Sequence, residues 1–489
     1  MKGIIMKTKA LCALLAILIA IPMLFSCAGN GENGDETTAV TDNKENEYAY
    51  VDEYVAELAK DHTYEGVTFN IISRSDAVPE FEEETGNLEN DAMYKRQREL
   101  EDIFGIDIEN FPCTGDNYGG SPTSEVADKV YTDVLSGLST YDLIEGNFNA
   151  GGLTMLEKGC LQYVEELDFF DFTRSWWVNG LVDQFSIAGH LYFMTGKIVP
   201  NHYTDPWCIL FNKSIAENYN MEDLYAVVKS GEWTVDKMFE VASVIPANSD
   251  VYRTKIYYYN SAAAFFFSGG FEICQFDDEG NPSIPTSLDP TAVDYVHKLA
   301  EYLGDSSTCY VTDMTGDNNE AEDDMFAKGQ TFYEPQQMGA VAPLREKDVE
   351  LGILPMPKST AEQKDYISYV GTGYNAAVYI AKNVKDIEMT CVLTEAMAAL
   401  SEKHLEPAYY EKSLKGRSTY DSESRDMLDI IYTTKKVDFA DMYGWGGITE
   451  SLNKACYGAN DSFISGYTSS VRLAGIHIKK LMNNIATEK

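Results

Sequence analysis

Along the first third of the chain, the spacing of apolar residues changes from element to element. Val67–Ile72, VTFNII, is a short β-rich run that predicts a strand. Leu88–Phe104 has helical spacing and stops at Gly105, which accepts the left-handed turn that ends a helix. Ile106–Ile108 predicts the next strand. Ser124–Leu138 predicts a second helix, with Val126, Val130, Val134 and Leu138 on one face and Ser124 as its cap. Tyr141–Ile144 predicts a third strand, and Glu145-Gly146-Asn147-Phe148 the loop after it. Strands alternating with helices of this length predict a parallel, doubly wound sheet. Ligands of such sheets lie beyond the carboxyl ends of the strands, which makes Asn147 and Phe148 candidate ligand contacts. The competing reading of Phe148 is a ring tucked into its own layer.

Ser186–Lys213 follows a different pattern. Gly189–His190 suits a tight turn between two apolar arms, Phe185–Ile187 and Leu191–Phe193. A polar loop, Thr195–Pro206, leads into the unbroken run Trp207–Phe211, which stops at Asn212-Lys213. Five successive apolar residues with polar ends predict a strand buried on both faces. Trp176-Trp177 could stack on a ring, but the flanking pattern DFFDFTRSWWVNGL suits packing better. Trp233 reads as structural: Thr234 caps a helix, and Trp233 staples onto Met238 within it. Asp289 and Pro290 open the helix Pro290–Leu303. Ile387–Leu400 and Phe463–Ile485 are amphipathic helices. In Tyr443-Gly444-Trp445-Gly446-Gly447, three glycines leave the tryptophan face uncovered by its sequence neighbours. Tyr443 and Trp445 are therefore candidates for stacking on a ligand, the alternative being a place in the core.

Residues 1–26 read as a secretory signal. Lys2, Lys7 and Lys9 precede an apolar core, Ala10–Ile21, shorter than the roughly 20 residues of a membrane span. Leu24-Phe25-Ser26-Cys27 resembles a bacterial lipobox, which makes Cys27 the lipid-bearing N-terminus, palmitate included, on the outer face of a cell membrane. Several acyl chains on one residue anchor firmly where a single chain is marginal. The alternative is plain secretion with Cys27 a bystander. Ala28–Glu47 has almost no large apolar residue and reads as a disordered tether, so the anchoring segment is taken as 27–60.

The remainder is long enough for two domains. Acids outnumber bases, 78 to 38, for a net charge of −40; loss of the signal, with its three lysines and no acid, deepens this to −43. Such a surface repels phosphates, so nucleic acid is excluded as a partner. It also disfavours anionic ligands unless a local basic pocket exists, and the sequence shows none. Beyond Cys12 and Cys27, seven widely spaced cysteines sit mostly in apolar settings and predict buried thiols, with neither a zinc nor a redox motif.

The ordered set YDLI, LEKGCLQYVEEL, SIAGHLYF, WCILFNK and GEWTVDKMFEVA resembles the extracellular solute-binding lipoproteins of ATP-driven importers. This is solute-binding protein family 1, the branch that includes maltose-binding protein, and the resemblance runs from about Tyr64 to the C-terminus. It implies an α/β, two-lobed periplasmic-binding-protein fold (type II-like), each lobe a mainly parallel sheet flanked by helices, with three hinge crossings. Lobe 1 would hold 61–207 plus 371–418, and lobe 2 208–370 plus 419–489. The crossings would fall at Trp207–Phe211, at Tyr366–Gly373 and near Gly416–Glu423. Met325–Gln330 resembles the family's step into a strand, Thr331–Tyr333, ending at the polar set Glu334-Pro335-Gln336; Leu351–Pro357 resembles another strand.

The resemblance places Asp205 and Trp207 at the start of the first crossing, where the family often carries a sugar-binding acid. A carboxylate accepts two hydrogen bonds in fixed geometry, which suits paired sugar hydroxyls. With Glu334 and Gln336 they complete the expected ligand set of Asn147, Phe148, Asp205, Trp207, Glu334, Gln336, Tyr443 and Trp445. The implied function is capture of a small polar solute, an oligosaccharide first, in the cleft between lobes, and delivery to importer permease subunits. No cofactor or metal is expected.

Two alternatives stay open: a receptor for peptides or other solutes, and a secreted carbohydrate-active enzyme. Against the enzyme, the chain has no GxSxG and no HExxH, and its six histidines are scattered. Asp313-Thr315-Asp317 opens like a calcium loop, but Asn318 stands where the turn glycine belongs and Asp324 where the bidentate glutamate belongs.

Overall fold

The computed structural model describes residues 47–114, 124–258, 260–312, 324–347, 349–371, 376–414, 422–457 and 462–487. The signal, Cys27, most of the tether, the Asp313–Asp317 stretch, Gly373 and nearly all of the Gly416–Glu423 crossing lie outside the described residues.

The first of two principal sheets takes its strands in the order Ala376–Tyr379, Leu143–Asn147, Thr68–Arg74, Asp107–Cys113. Thr68–Arg74 is parallel to both of its neighbours, while Ala376–Tyr379 runs antiparallel beside Leu143–Asn147. Local chemistry sets the helices against it. Asn87 accepts from the backbone of Glu89 and Asn90 to start Leu88–Phe104, and Gly105, at φ 72°, ends it. Ser124 caps Glu125–Ser136, and Gly137, at φ 66°, ends that helix before Leu138, which is 71% exposed rather than on the buried face.

The third strand is displaced from its expected place. It spans Leu143–Asn147, so Glu145, Gly146 and Asn147 belong to the ladder and not to a loop. Ala376–Tyr379, distant in sequence, supplies their antiparallel partners, and Phe148 opens a π-helical turn, Phe148–Gly152.

The second sheet runs Leu351–Pro355, Trp207–Asn212, Thr331–Gln337, Tyr252–Ile256, Cys309–Val311. Every residue of Trp207–Asn212 is buried, as the apolar run implies, but the strand is antiparallel to both of its neighbours. Its register carries Thr331–Gln337 past Tyr333, with Trp207 opposite Gln337, so Glu334 and Gln336 lie within the strand rather than beyond its end.

The turn before the crossing is centred on Ala188 (φ 52°) and Gly189 (φ 81°), one residue earlier than expected; Ile187 and His190 exchange backbone bonds of 2.8 and 3.0 Å across it. Phe185 ends a short helix, Leu181–Phe185, instead of a strand arm. The structural tryptophans are held by hydrogen bonds. Trp176 and Trp177 donate from their indole nitrogens to the two oxygens of buried Glu395, at 3.0 and 2.9 Å. Trp233 donates to the Pro355 carbonyl at 2.8 Å. Cys113, Cys160, Cys208, Cys274, Cys309, Cys391 and Cys456 are all buried thiols, and burial raises the pKa of Cys208, Cys274 and Cys309, which keeps them unreactive.

Three chain segments lie side by side. Pro206 bridges Val370 antiparallel, and Ser368 and Tyr369 pair in parallel with Lys435 and Lys436. Together these pairs form a narrow ribbon beside the start of Trp207–Asn212.

Candidate ligand-binding site

The site grows from the carboxyl ends of two adjacent parallel strands. Thr68–Arg74 ends in Arg74, and Leu143–Asn147 ends in Asn147; both side chains are buried. The Arg74 guanidinium donates to Asn147 Oδ1, and its Nε donates to Asp76 Oδ1 at 2.9 Å within an ion pair. Glu145 projects from the same strand face as Asn147, two residues earlier. Burial pushes Glu145 up to about 8, against the opposing pull of Arg74 and Arg96. Arg96, fully buried on Leu88–Phe104, donates to the Ile198 carbonyl at 2.7 Å and to Ser401 Oγ at 3.0 Å.

Asp205 joins this group from the start of the crossing. Its carboxylate accepts from Asn201 Nδ2 at 3.1 and 3.2 Å and from the Thr204 hydroxyl at 3.3 Å. Burial raises Asp205 to about 7, with Arg74 opposing the rise. Trp207, one step into the strand, is buried with no partner for its indole N–H among the described residues, and its ring centroid lies 6.4 Å from that of Tyr369. Arginine, amide and acid thus meet where strand order reverses, the usual ligand position of an open α/β sheet.

Beside this cluster lies a cavity of about 40 Å³, whose walls include Phe148, Thr195, Asn201, His202, Val370 and Lys435. That volume holds water but falls well short of the roughly 300 Å³ of a small-molecule site. Phe148 is 3% exposed and packs edge-on against Phe193, 4.7 Å between ring centroids, so it fills its own lobe and also lines the cavity.

The other expected residues are placed differently. Glu334 is buried within the second sheet, 3.3 Å from the ammonium of fully buried Lys255, and accepts from the Tyr257 hydroxyl at 2.8 Å. Gln336 is half-buried and turns back to accept from the Gln337 N–H at 2.8 Å. The Trp445 face is not uncovered as the glycines suggested: the residue is fully buried and stacks on Tyr443, 5.3 Å between centroids. Gly446, at φ 67°, lets the chain pass tight under the helix Ser462–Thr487; a Cβ there would lie 2.1 Å from the Ser470 carbonyl oxygen. Distant packing, not sequence neighbours, covers the ring.

Sequence reasoning overlooked Arg74, Glu145, His202 and Lys435. For Arg74 a signal existed: it closes the first strand, and the carboxyl-end argument that selected Asn147 applies to it equally. For His202 and Lys435 there was none, because only the fold brings them together.

No family model and no curated protein matches the sequence. Solved structures do resemble the fold. A cyclo/maltodextrin-binding protein in complex with maltotetraose aligns at TM-score 0.55 and 15% identity, over 87% of this chain and 99% of the other. The galacto-N-biose/lacto-N-biose I-binding protein of Bifidobacterium longum, bound to lacto-N-biose, gives 0.55 and 14%, over 85% and 98%. An ABC substrate-binding protein of Listeria monocytogenes in complex with cycloalternan gives 0.54 and 13%, over 86% and 100%. The chain has the two-lobed fold of the maltose-binding-protein-like solute-binding proteins.

Proposed function

We propose that this chain is an extracellular solute-binding lipoprotein, anchored through Cys27, that captures a carbohydrate between its lobes. It then presents the solute to the permease of an ABC importer. The observation that carries this reading is the convergence of Arg74, Asn147 and Asp205 on the hinge, at the carboxyl ends of the first-sheet strands. The structural neighbours named above hold sugars, which supports carbohydrate over peptide.

In this reading the lobes are 61–207 plus 371–418 and 208–370 plus 419–489. Asn147, Phe148, Asp205 and Trp207 touch solute. The cavity of about 40 Å³ represents a shut form, and solute enters when the lobes part about the hinge. Bound solute favours closure only by its greater affinity for the closed form. The solute leaves unchanged, so the protein binds without catalysing.

Calorimetric titration of the mature chain against oligosaccharides, amino acids and peptides tests this. Micromolar or tighter binding to one sugar class is expected, with a smaller radius of gyration on saturation. Silence on every class would remove the reading. Mass spectrometry of the mature N-terminus checks the acyl chains on Cys27.

A further inference from the structure

We infer that the solute carries a carboxylate, as a uronate-bearing sugar does, and that Lys435, backed by His202, receives that group beside the hinge. The inference rests on the carbohydrate reading above and narrows its substrate class.

Lys435 sits on the hinge ribbon, paired with Ser368, and its side chain forms part of the cavity wall. Its ammonium lies 2.9 Å from Nδ1 and 2.6 Å from Nε2 of His202, and donates to the His202 carbonyl at 3.2 Å. These partners are neutral. Among the described residues Lys435 forms no ion pair, in a chain where acids outnumber bases two to one. The acids within electrostatic reach are otherwise engaged: Glu406 holds Lys197 at 2.8 Å, and Asp205 holds Asn201 and Thr204.

Among the described residues no carboxylate lines the cavity, and Lys435 and His202 are the titratable groups there, beside the polar Thr195 and Asn201 and the ring of Phe148. Burial, with Lys197 nearby, holds Lys435 well below its ordinary range, and burial together with Lys435 does the same to His202. An arriving carboxylate would supply the missing counter-charge and reverse that cost. Thr195 and Asn201 offer partners for hydroxyls, and Phe148 offers an apolar face for a ring. The local basic pocket that the sequence did not reveal is thus present. It matters the more because the net charge of −40 repels an anion at long range.

The test titrates the mature chain with matched pairs: trigalacturonate against galactotriose, and glucuronate-substituted xylotriose against xylotriose. One acidic member should bind at least about tenfold tighter than its neutral match, the ratio a charged hydrogen bond supports. In Lys435→Met the ratio of acidic to neutral affinity should fall to about one. Neutral sugars binding as tightly as acidic ones would overturn this inference and leave the carbohydrate reading intact. Binding of no sugar at all would overturn both. Retention of the acidic preference in both Lys435→Met and His202→Gln would overturn the assignment to Lys435. The comparison within the unaltered chain stands even if a variant fails to fold.

Discussion

The guanidinium of Arg74 donates to the side-chain oxygen of Asn147, tying together the carboxyl ends of two parallel strands that are adjacent in space but far apart in sequence. The bond is buried, so its loss would leave a charged group short of a partner. Asn147→Ala should lower solute affinity by roughly tenfold or more, with a stability cost of about 1.5–3 kcal/mol for the charged hydrogen bond. Calorimetry and thermal melting on the same variant separate the two effects. Full affinity in a destabilised variant would make the pair structural only.

The hinge supplies a second prediction. A Cβ built on Gly371 would lie 3.1 Å from Tyr369 Cε1 and 3.2 Å from Trp207 Nε1, at the expected first and second crossings. Gly371→Val should therefore wedge the crossings apart and favour the open form. X-ray scattering should show a larger radius of gyration without solute, and affinity should fall about tenfold as the closed population shrinks. An unchanged radius would place the hinge elsewhere.

Acidity should stabilise the first lobe. Burial raises Glu145 to about 8 and Asp205 to about 7, from ordinary values of 4.5 and 3.8. Both folded values exceed the unfolded ones, so folding favours the protonated acids. The stability they contribute is complete below about pH 4 and is lost as pH rises through 7 to 8. Between pH 5 and pH 8 the two acids together should lose on the order of 6 kcal/mol, read as a falling melting temperature. Glu145→Gln should flatten that slope; a slope as steep as in the unaltered chain would exonerate Glu145.

Trp445 should behave as core. It is fully buried, stacked on Tyr443 and covered by the helix Ser462–Thr487. Trp445→Ala should cost about 3–5 kcal/mol of stability, whereas Trp445→Phe should cost much less. Denaturant unfolding measures both. A stable Trp445→Ala variant that no longer binds solute would return the residue to the ligand site.

What the sequence determined by itself was what depends on near neighbours. Asn87 and Gly105 bound their helix because capping bonds and a left-handed turn span only a few residues. Trp207–Phe211 announced a buried strand because five apolar residues in a row leave no face for water. The ordered match to solute-binding proteins then pointed to two lobes, and the fold has them. Only the tertiary structure decided what depends on distant partners. Ala376–Tyr379 drew Glu145–Asn147 into a sheet, and Ser462–Thr487 covered a tryptophan that its glycine neighbours left open. Lys435 came to rest on His202, 233 residues away in sequence. Ladder pairing, burial and charge are set by whatever lies nearest in space, and a linear pattern records only what lies nearest along the chain.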